Sequence, residues 1–171
     1  MPGLLLISTA ALALMAAPEQ MSPRADPVAP GFSGWNEASL QASINEWRRL
    51  RGSDLLPFQD YATFLMAHPG WPGELMMRKA AERRIDPNNY VPRDVVMFFT
   101  RFPPQTGTGQ VRYAEALDST GRNGEARVAA TAAWAMKGLN PDDETRLMAR
   151  FGSQLTPTDH DRRMERLLWD R

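Results

Sequence analysis

The sequence predicts an all-α fold, a right-handed superhelical stack of helical hairpins. Three observations predict it: prolines that punctuate the chain where helices start, apolar residues at helical spacing between them, and a faint internal repeat.

Pro57-Phe58-Gln59, Pro72-Gly73-Glu74, Pro92-Arg93-Asp94, Pro141-Asp142-Asp143 and Pro157-Thr158-Asp159 share the form Pro-x-acid-or-amide. Proline suits the first helical position, because the N–H it lacks would have no partner there. An acid or amide two residues on can bond a free N–H and meet the positive end of the helix dipole. Asn140 and Thr156 are good N-cap residues ahead of two of these starts. With further starts near Ser33, Thr108 and Asn123, helices are expected near 35–50, 57–67, 72–84, 92–101, 108–120, 123–137, 141–151 and 157–170. No segment alternates Val, Ile and Thr, so no sheet is expected.

Each helix is amphipathic. Phe58, Tyr61, Ala62 and Leu65 follow i, i+3, i+4, i+7 spacing, and Val111, Ala114 and Leu117 form a stripe with Tyr113 and Ala116 beside it. Ala126, Ala129, Ala130, Ala132 and Ala133 with Trp134 make 123–137 a helix that neighbours approach closely on more than one side, as in the middle of a stack. The repeat sets Asp60, Phe64, Pro69, Gly73, Arg78 and Ala80 against Asp94, Phe98, Pro103, Gly107, Arg112 and Ala114, each pair 34 positions apart. That is the period of tetratricopeptide-like units, each a helix, a sharp Pro-Gly turn and a second helix. The stretch AHPGWPGE at 67–74 reads as such a turn, and the whole as a tetratricopeptide-like α-solenoid. Met164, Leu167, Leu168 and Trp169 form an apolar face on the last helix, so the helical domain, 35–171, reads as truncated at its C-terminal end.

Two segments precede this domain. Residues 4–17, LLLISTAALALMAA, match the core of a signal peptide and are shorter than the ~20 residues of a membrane span. Residues 1–17 are read as that leader, with a lipid-surface anchor as the alternative, and residues 18–34, holding four prolines, as a linker. No Lys or Arg precedes the apolar run, and Pro18 follows it.

Composition removes several function classes. Of 171 residues, 20 are Lys or Arg and 20 Asp or Glu, so the net charge is zero and a polyanion-binding module is disfavoured. No cysteine is present, which excludes disulfides, cysteine zinc sites and thiol nucleophiles. His68 reads as a packed ring at a turn. Asp159-His160-Asp161 cannot converge easily on one ion, since adjacent helical residues point about 100° apart, and Asp159 reads as a cap. Glu74, Glu82, Asp142, Asp143 and Glu144 read as first-turn or solvent-facing carboxylates. Gly107-Thr108-Gly109 follows Phe102-Pro103-Pro104 rather than a strand and lacks the rest of a phosphate loop. Trp35, Trp47, Trp71, Trp134 and Trp169 read mostly as core, with stacking on a sugar ring the alternative. Arg48, Arg49, Arg51, Arg162, Arg163 and Arg166 read as solvated faces. No catalytic, cofactor-binding or metal-binding residue is assigned, and no cofactor is expected.

Trp47-Arg48-Arg49-Leu50-Arg51, Asp60-Tyr61-Ala62 with Phe64-Leu65, Ala67-His68-Pro69-Gly70-Trp71-Pro72-Gly73-Glu74, and Thr156-Pro157-Thr158-Asp159-His160-Asp161 with Arg163-Met164 and Leu167-Leu168-Trp169 carry a resemblance. Together they resemble the N-terminal part of soluble lytic murein transglycosylases of Gram-negative bacteria, over nearly all of 35–171. The resemblance implies a periplasmic protein whose N-terminal region is an α-helical superhelix. It implies a parent enzyme whose C-terminal lysozyme-like domain cleaves between N-acetylmuramic acid and N-acetylglucosamine without water, leaving 1,6-anhydro ends. In that family one glutamate of a Glu-Ser motif is acid and then base, and a Gly-Leu-Met-Gln motif follows. This chain has neither motif, so no catalytic residue is carried over and the chain resembles the scaffold half. Peptidoglycan is then the expected partner, through the full-length enzyme. The alternative is a stand-alone tetratricopeptide-like module that takes a protein partner in its concave groove; nucleic acid is not expected.

Overall fold

The computed structural model describes residues 37–169. The expected leader, the linker and Trp35 lie outside the described residues. Within them the chain is all-α, with eight α-helices and one 3₁₀ turn. In order these are α1 Glu37–Arg51, α2 Phe58–Ala67, α3 Glu74–Arg83, α4 Pro92–Arg101, α5 Gly107–Ser119, α6 Asn123–Trp134, α7 Pro141–Phe151, the turn Gly152–Gln154, and α8 Pro157–Trp169. No strand occurs among the described residues.

The punctuation works by more than one device. Pro92, Pro141 and Pro157 open α4, α7 and α8 as expected. Pro57 instead sits one residue before α2, and Pro72 stands two before α3, where Gly73 takes the N-cap position with φ 83°. Asn140 caps α7 by accepting from the Asp143 N–H at 2.8 Å. At α8, Thr156 and Asp159 satisfy one another: Asp159 Oδ2 accepts from Thr156 N and Oγ1 at 2.9 and 2.7 Å. These bonds hold the Asp159 carboxyl below its ordinary range. Gly121, φ 78°, ends α5 in a Schellman turn, in which Arg122 N donates to Leu117 O and Gly121 N to Asp118 O.

The break at 68–73 is a turn fastened to its neighbours. Gly70 has φ 82°, and its N–H donates to Glu74 Oε2 at 2.6 Å. Trp71 meets Phe64 edge-on at 5.4 Å and Trp47 at 6.2 Å, while Trp47 Nε1 donates to Pro72 O at 2.8 Å. Arg51 lies against Gly73, whose missing Cβ leaves room for that guanidinium. The turn thus joins α2 to α3 and ties both to α1.

Packing runs in sequence order. α1 packs on α2 and α3, α2 on α3 and α4, α3 and α4 on α5, α5 on α6 and α7, and α6 on α7 and α8. The main contacts are therefore between helices one or two places apart, and α1, α3, α5 and α7 form one continuous row. The core follows the predicted stripes. Phe58, Tyr61, Leu65, Val111, Ala114, Leu117, Ala126, Ala129, Ala130, Ala133 and Trp134 are buried, while Ala132 is exposed. Phe98 meets Phe58, Phe99 and Phe102 at 5.3–5.4 Å, contacts worth about 0.5–1.5 kcal/mol each beyond area burial.

Two pairs of repeat partners share environments, whereas Gly73 is an exposed N-cap and Gly107 a buried helical residue. Phe64 and Phe98 are buried, as are Ala80 and Ala114. Arg78 on α3 reaches forward to the turn before α5, donating to Pro103 O at 2.7 Å with its guanidinium over Phe102. Arg112 on α5 likewise reaches forward to Asp143 at the start of α7. In both units the arginine joins one hairpin to the next.

α6 ends three residues earlier than its sequence predicts. The carbonyls of Trp134 and Ala135 are taken by Arg163 and Arg166 of α8, each at 3.0 Å, and Gly138 with φ 73° turns the chain toward α7.

Candidate functional site

Two adjoining depressions lie along the row of α1, α3, α5 and α7. The first is walled by Arg51, Asp54, Gly73, Met76, Ala80 and Arg83. The second, a cleft of about 870 Å³, is lined by Arg83, Ile85, Pro87 and Asn88 from the end of α3 and the segment after it, by Thr108 and Arg112 of α5, and by residues from Asn140 to Arg146 at the start of α7. Arg83 lines both.

A charge network builds the back of the cleft. Arg112, 5% exposed, donates from Nη1 to Glu115 Oε2 at 3.0 Å and from Nη2 to Asp143 Oδ1 at 2.5 Å. Arg146 Nε donates to Glu115 Oε1 at 3.0 Å, and its other nitrogens reach Asn88 Oδ1 and Pro87 O. Asp143 Oδ2 accepts from Thr108 Oγ1 and Asn140 Nδ2, both at 2.7 Å. Two guanidiniums thus face two carboxylates, and buried charges persist only in such paired and hydrogen-bonded company. Within this network Arg112 Nε is buried with no hydrogen bond of its own. The back of the cleft is therefore held by paired charges of both signs.

The carboxylates read as first-turn or solvent-facing divide into two sets. Glu82 is buried, at 0% exposure and away from a first turn, which corrects that reading; Asp143 stands in the first turn of α7 as read and is buried there, at 1% exposure. Glu82 accepts from Gln105 N, Thr106 N and Thr106 Oγ1 at 2.7, 2.7 and 2.6 Å, so it holds the start of α5 from α3. Burial pushes its carboxyl above the ordinary range, and the Thr106 and Gln105 bonds pull part of the way back. Asp142 is exposed at the cleft lip, and Glu144 pairs with Arg163 at 2.7 Å.

The arginine runs divide as well. Arg48 is exposed, and Arg49 bridges Glu46 and Asp60, both at 2.7 Å. Its bond holds the Glu46 carboxyl low. Arg162 is solvated, whereas Arg163 stacks on Trp134 at 4.0 Å, so the solvated reading fails for Arg163. His68 packs between Phe64 and Trp71, and His160 meets Trp134 edge-on. Trp134 is core, Trp47 and Trp71 are half-buried against it, and Trp169 is 85% exposed. No group of three or more His, Asp or Glu able to hold a metal occurs among the described residues.

Comparison of the chain with protein-family models, with curated proteins and with solved structures finds no match. Nor is any helix among the described residues long and apolar enough to cross a membrane.

Arg112, Glu115 and Arg146 were not singled out by sequence reasoning as site residues. The one signal available was the register of Arg112 with Arg78, which marks a repeated role without naming its partner.

Proposed function

We propose that this chain is the non-catalytic helical scaffold of a periplasmic lytic transglycosylase acting on peptidoglycan glycan strands, its hairpins wound into a right-handed superhelix. The observation that carries the reading is the AHPGWPGE turn. The residues most specific to the resemblance are those that fasten the first hairpin to α1, through Trp71, Pro72 and Gly73. Packing of helices one or two places apart supports a superhelical stack. The leader-like run at 4–17 supports export. The parent reaction, non-hydrolytic cleavage giving 1,6-anhydro ends, belongs to a lysozyme-like domain whose motifs are not among these 171 residues.

Cosedimentation of the purified chain with cell-wall sacculi tests this. Binding without release of anhydro-muropeptides is expected. Release by the chain alone would overturn the non-catalytic role, and loss of cosedimentation would overturn the glycan role. An immunoblot of the source cells with an antibody against residues 37–169 tests location, with a periplasmic band expected.

A second reading, a tetratricopeptide-like module for a protein partner, is favoured by α8. Its Met164, Leu167, Leu168 and Trp169 are 56%, 48%, 61% and 85% exposed, an apolar face of the kind that protein contacts cover.

A further inference from the structure

We propose that the cleft between α5 and α7 binds a short peptide bearing both a free carboxylate and a free ammonium group. This deepens the scaffold reading, and rests on it for the source of the peptide: the peptides that branch from peptidoglycan strands have this chemistry.

The lining selects the class. About 870 Å³ suits a ligand of a few residues. No aromatic side chain lines the cleft, so a sugar ring or a base has no face to stack on. The exposed charges are of both signs. Arg83 supplies donors for a carboxylate, and Asp142, which has no ion-pair partner among the described residues, supplies an acceptor for an ammonium. Arg83 is held only by a 3.6 Å pairing with Asp54, both side chains being about half exposed or more, so a ligand carboxylate displaces little. A bare dianion such as phosphate would meet Asp142 and Asp143 as well as the arginines, and fits less well.

Asn88 Oδ1 accepts from Arg146, which leaves the Asn88 amide N–H groups for a peptide carbonyl.

Calorimetric titration of the full chain tests the proposal. The probes are a synthetic tetrapeptide with a free C-terminus and one lysine, its C-terminal amide, and its lysine-acetylated form. Amidation and acetylation should each weaken binding about tenfold, the effect of one charge-assisted hydrogen bond. Arg83→Ala should weaken the free-acid peptide about as much and leave the amide unchanged, and Asp142→Asn should do the same for the free and acetylated lysine. Both side chains are exposed, and unchanged helical circular dichroism verifies that each variant folds. No binding, equal binding of all three peptides, or displacement of the peptide by inorganic phosphate would each overturn the proposal. Sacculus cosedimentation separates the two readings. If it persists without peptide binding, only the cleft assignment fails; if it is lost while the peptide binds, only the scaffold reading fails.

Discussion

The Glu82 carboxylate on α3 occupies the space that a Cβ on Gly109 of α5 would fill. Gly109 is the third residue of its helix and has no positive φ, so contact with α3 rather than backbone conformation demands glycine there. Glu82 cannot swing aside without releasing Gln105 and Thr106. Gly109→Ala should therefore destabilise the protein, by about 1–3 kcal/mol of overpacking less up to about 1 kcal/mol gained in helix propensity. In a Glu82→Ala background the same change should stabilise, since only the propensity gain remains. Urea denaturation of the four proteins in this cycle decides it, and additive effects would refute the contact.

Glu82 also predicts a pH dependence. Its ordinary value is 4.5, and burial raises it in the folded state. The folded protein then holds this proton over a range in which the unfolded chain has lost it. The contribution is present in full below 4.5 and lost as pH rises through the folded pKa. The stability of wild type minus that of Glu82→Gln should thus fall as pH rises above 4.5. Asp159, Glu46 and Glu125 are held low by Thr156, Arg49 and Arg122, and give the opposite slope. They are common to both proteins and cancel in the difference. A difference that stays level or rises with pH would refute the assignment.

The buried network predicts a larger loss. Arg112→Met leaves Glu115 without one guanidinium and Asp143 without its only one, inside a nearly dry site. Removing one partner of a buried pair costs about 3–5 kcal/mol. Arg112→Lys should recover part of this, since one ammonium cannot fork between two carboxylates as a guanidinium does. Thermal and urea unfolding would show the order wild type, Lys, Met; a Lys variant as unstable as Met would mean that the charge itself contributes little.

These two sites mark where legibility ends. The helices could be read because proline, capping residues and apolar period act within a few residues of chain. Asn140, Thr156 and the stripe Val111, Ala114, Leu117 are local signals, and they lie where they were read. Glu82 was misread, and the burial of Asp143 went unread, because the partners that enclose them lie 23 or more residues away, at Gln105, Thr106 and Arg112. On a local reading each is a carboxylate near a helix end, where solvent is the default. What buries them is α5, which is covered on nearly every side, so that even Arg112 and Glu115, flanking the apolar stripe, are enclosed. The second depression was not readable for the same reason. It is formed by three separate stretches that meet only when α3, α5 and α7 stand in a row.

The last helix supplies a contrast within one arginine run. Arg163 stacks on Trp134 at 4.0 Å, donates to Trp134 O at 3.0 Å and to Glu144 Oε2 at 2.7 Å, and its side chain is 12% exposed. Arg162, its neighbour, is 54% exposed and reaches only Asp159, at 3.6 Å. α8 buries none of its own residues and meets α6 through His160, Arg163 and Arg166, so its attachment is polar. Arg163→Ala should cost about 2 kcal/mol, from a desolvated cation–π contact and charged hydrogen bonds together. Arg162→Ala should stay within about 0.5 kcal/mol of wild type. Because Arg163 lies on the Trp134 ring, only the first change should shift tryptophan emission in the folded state. Equal effects of the two substitutions would mean that α8 is held by something other than this stack.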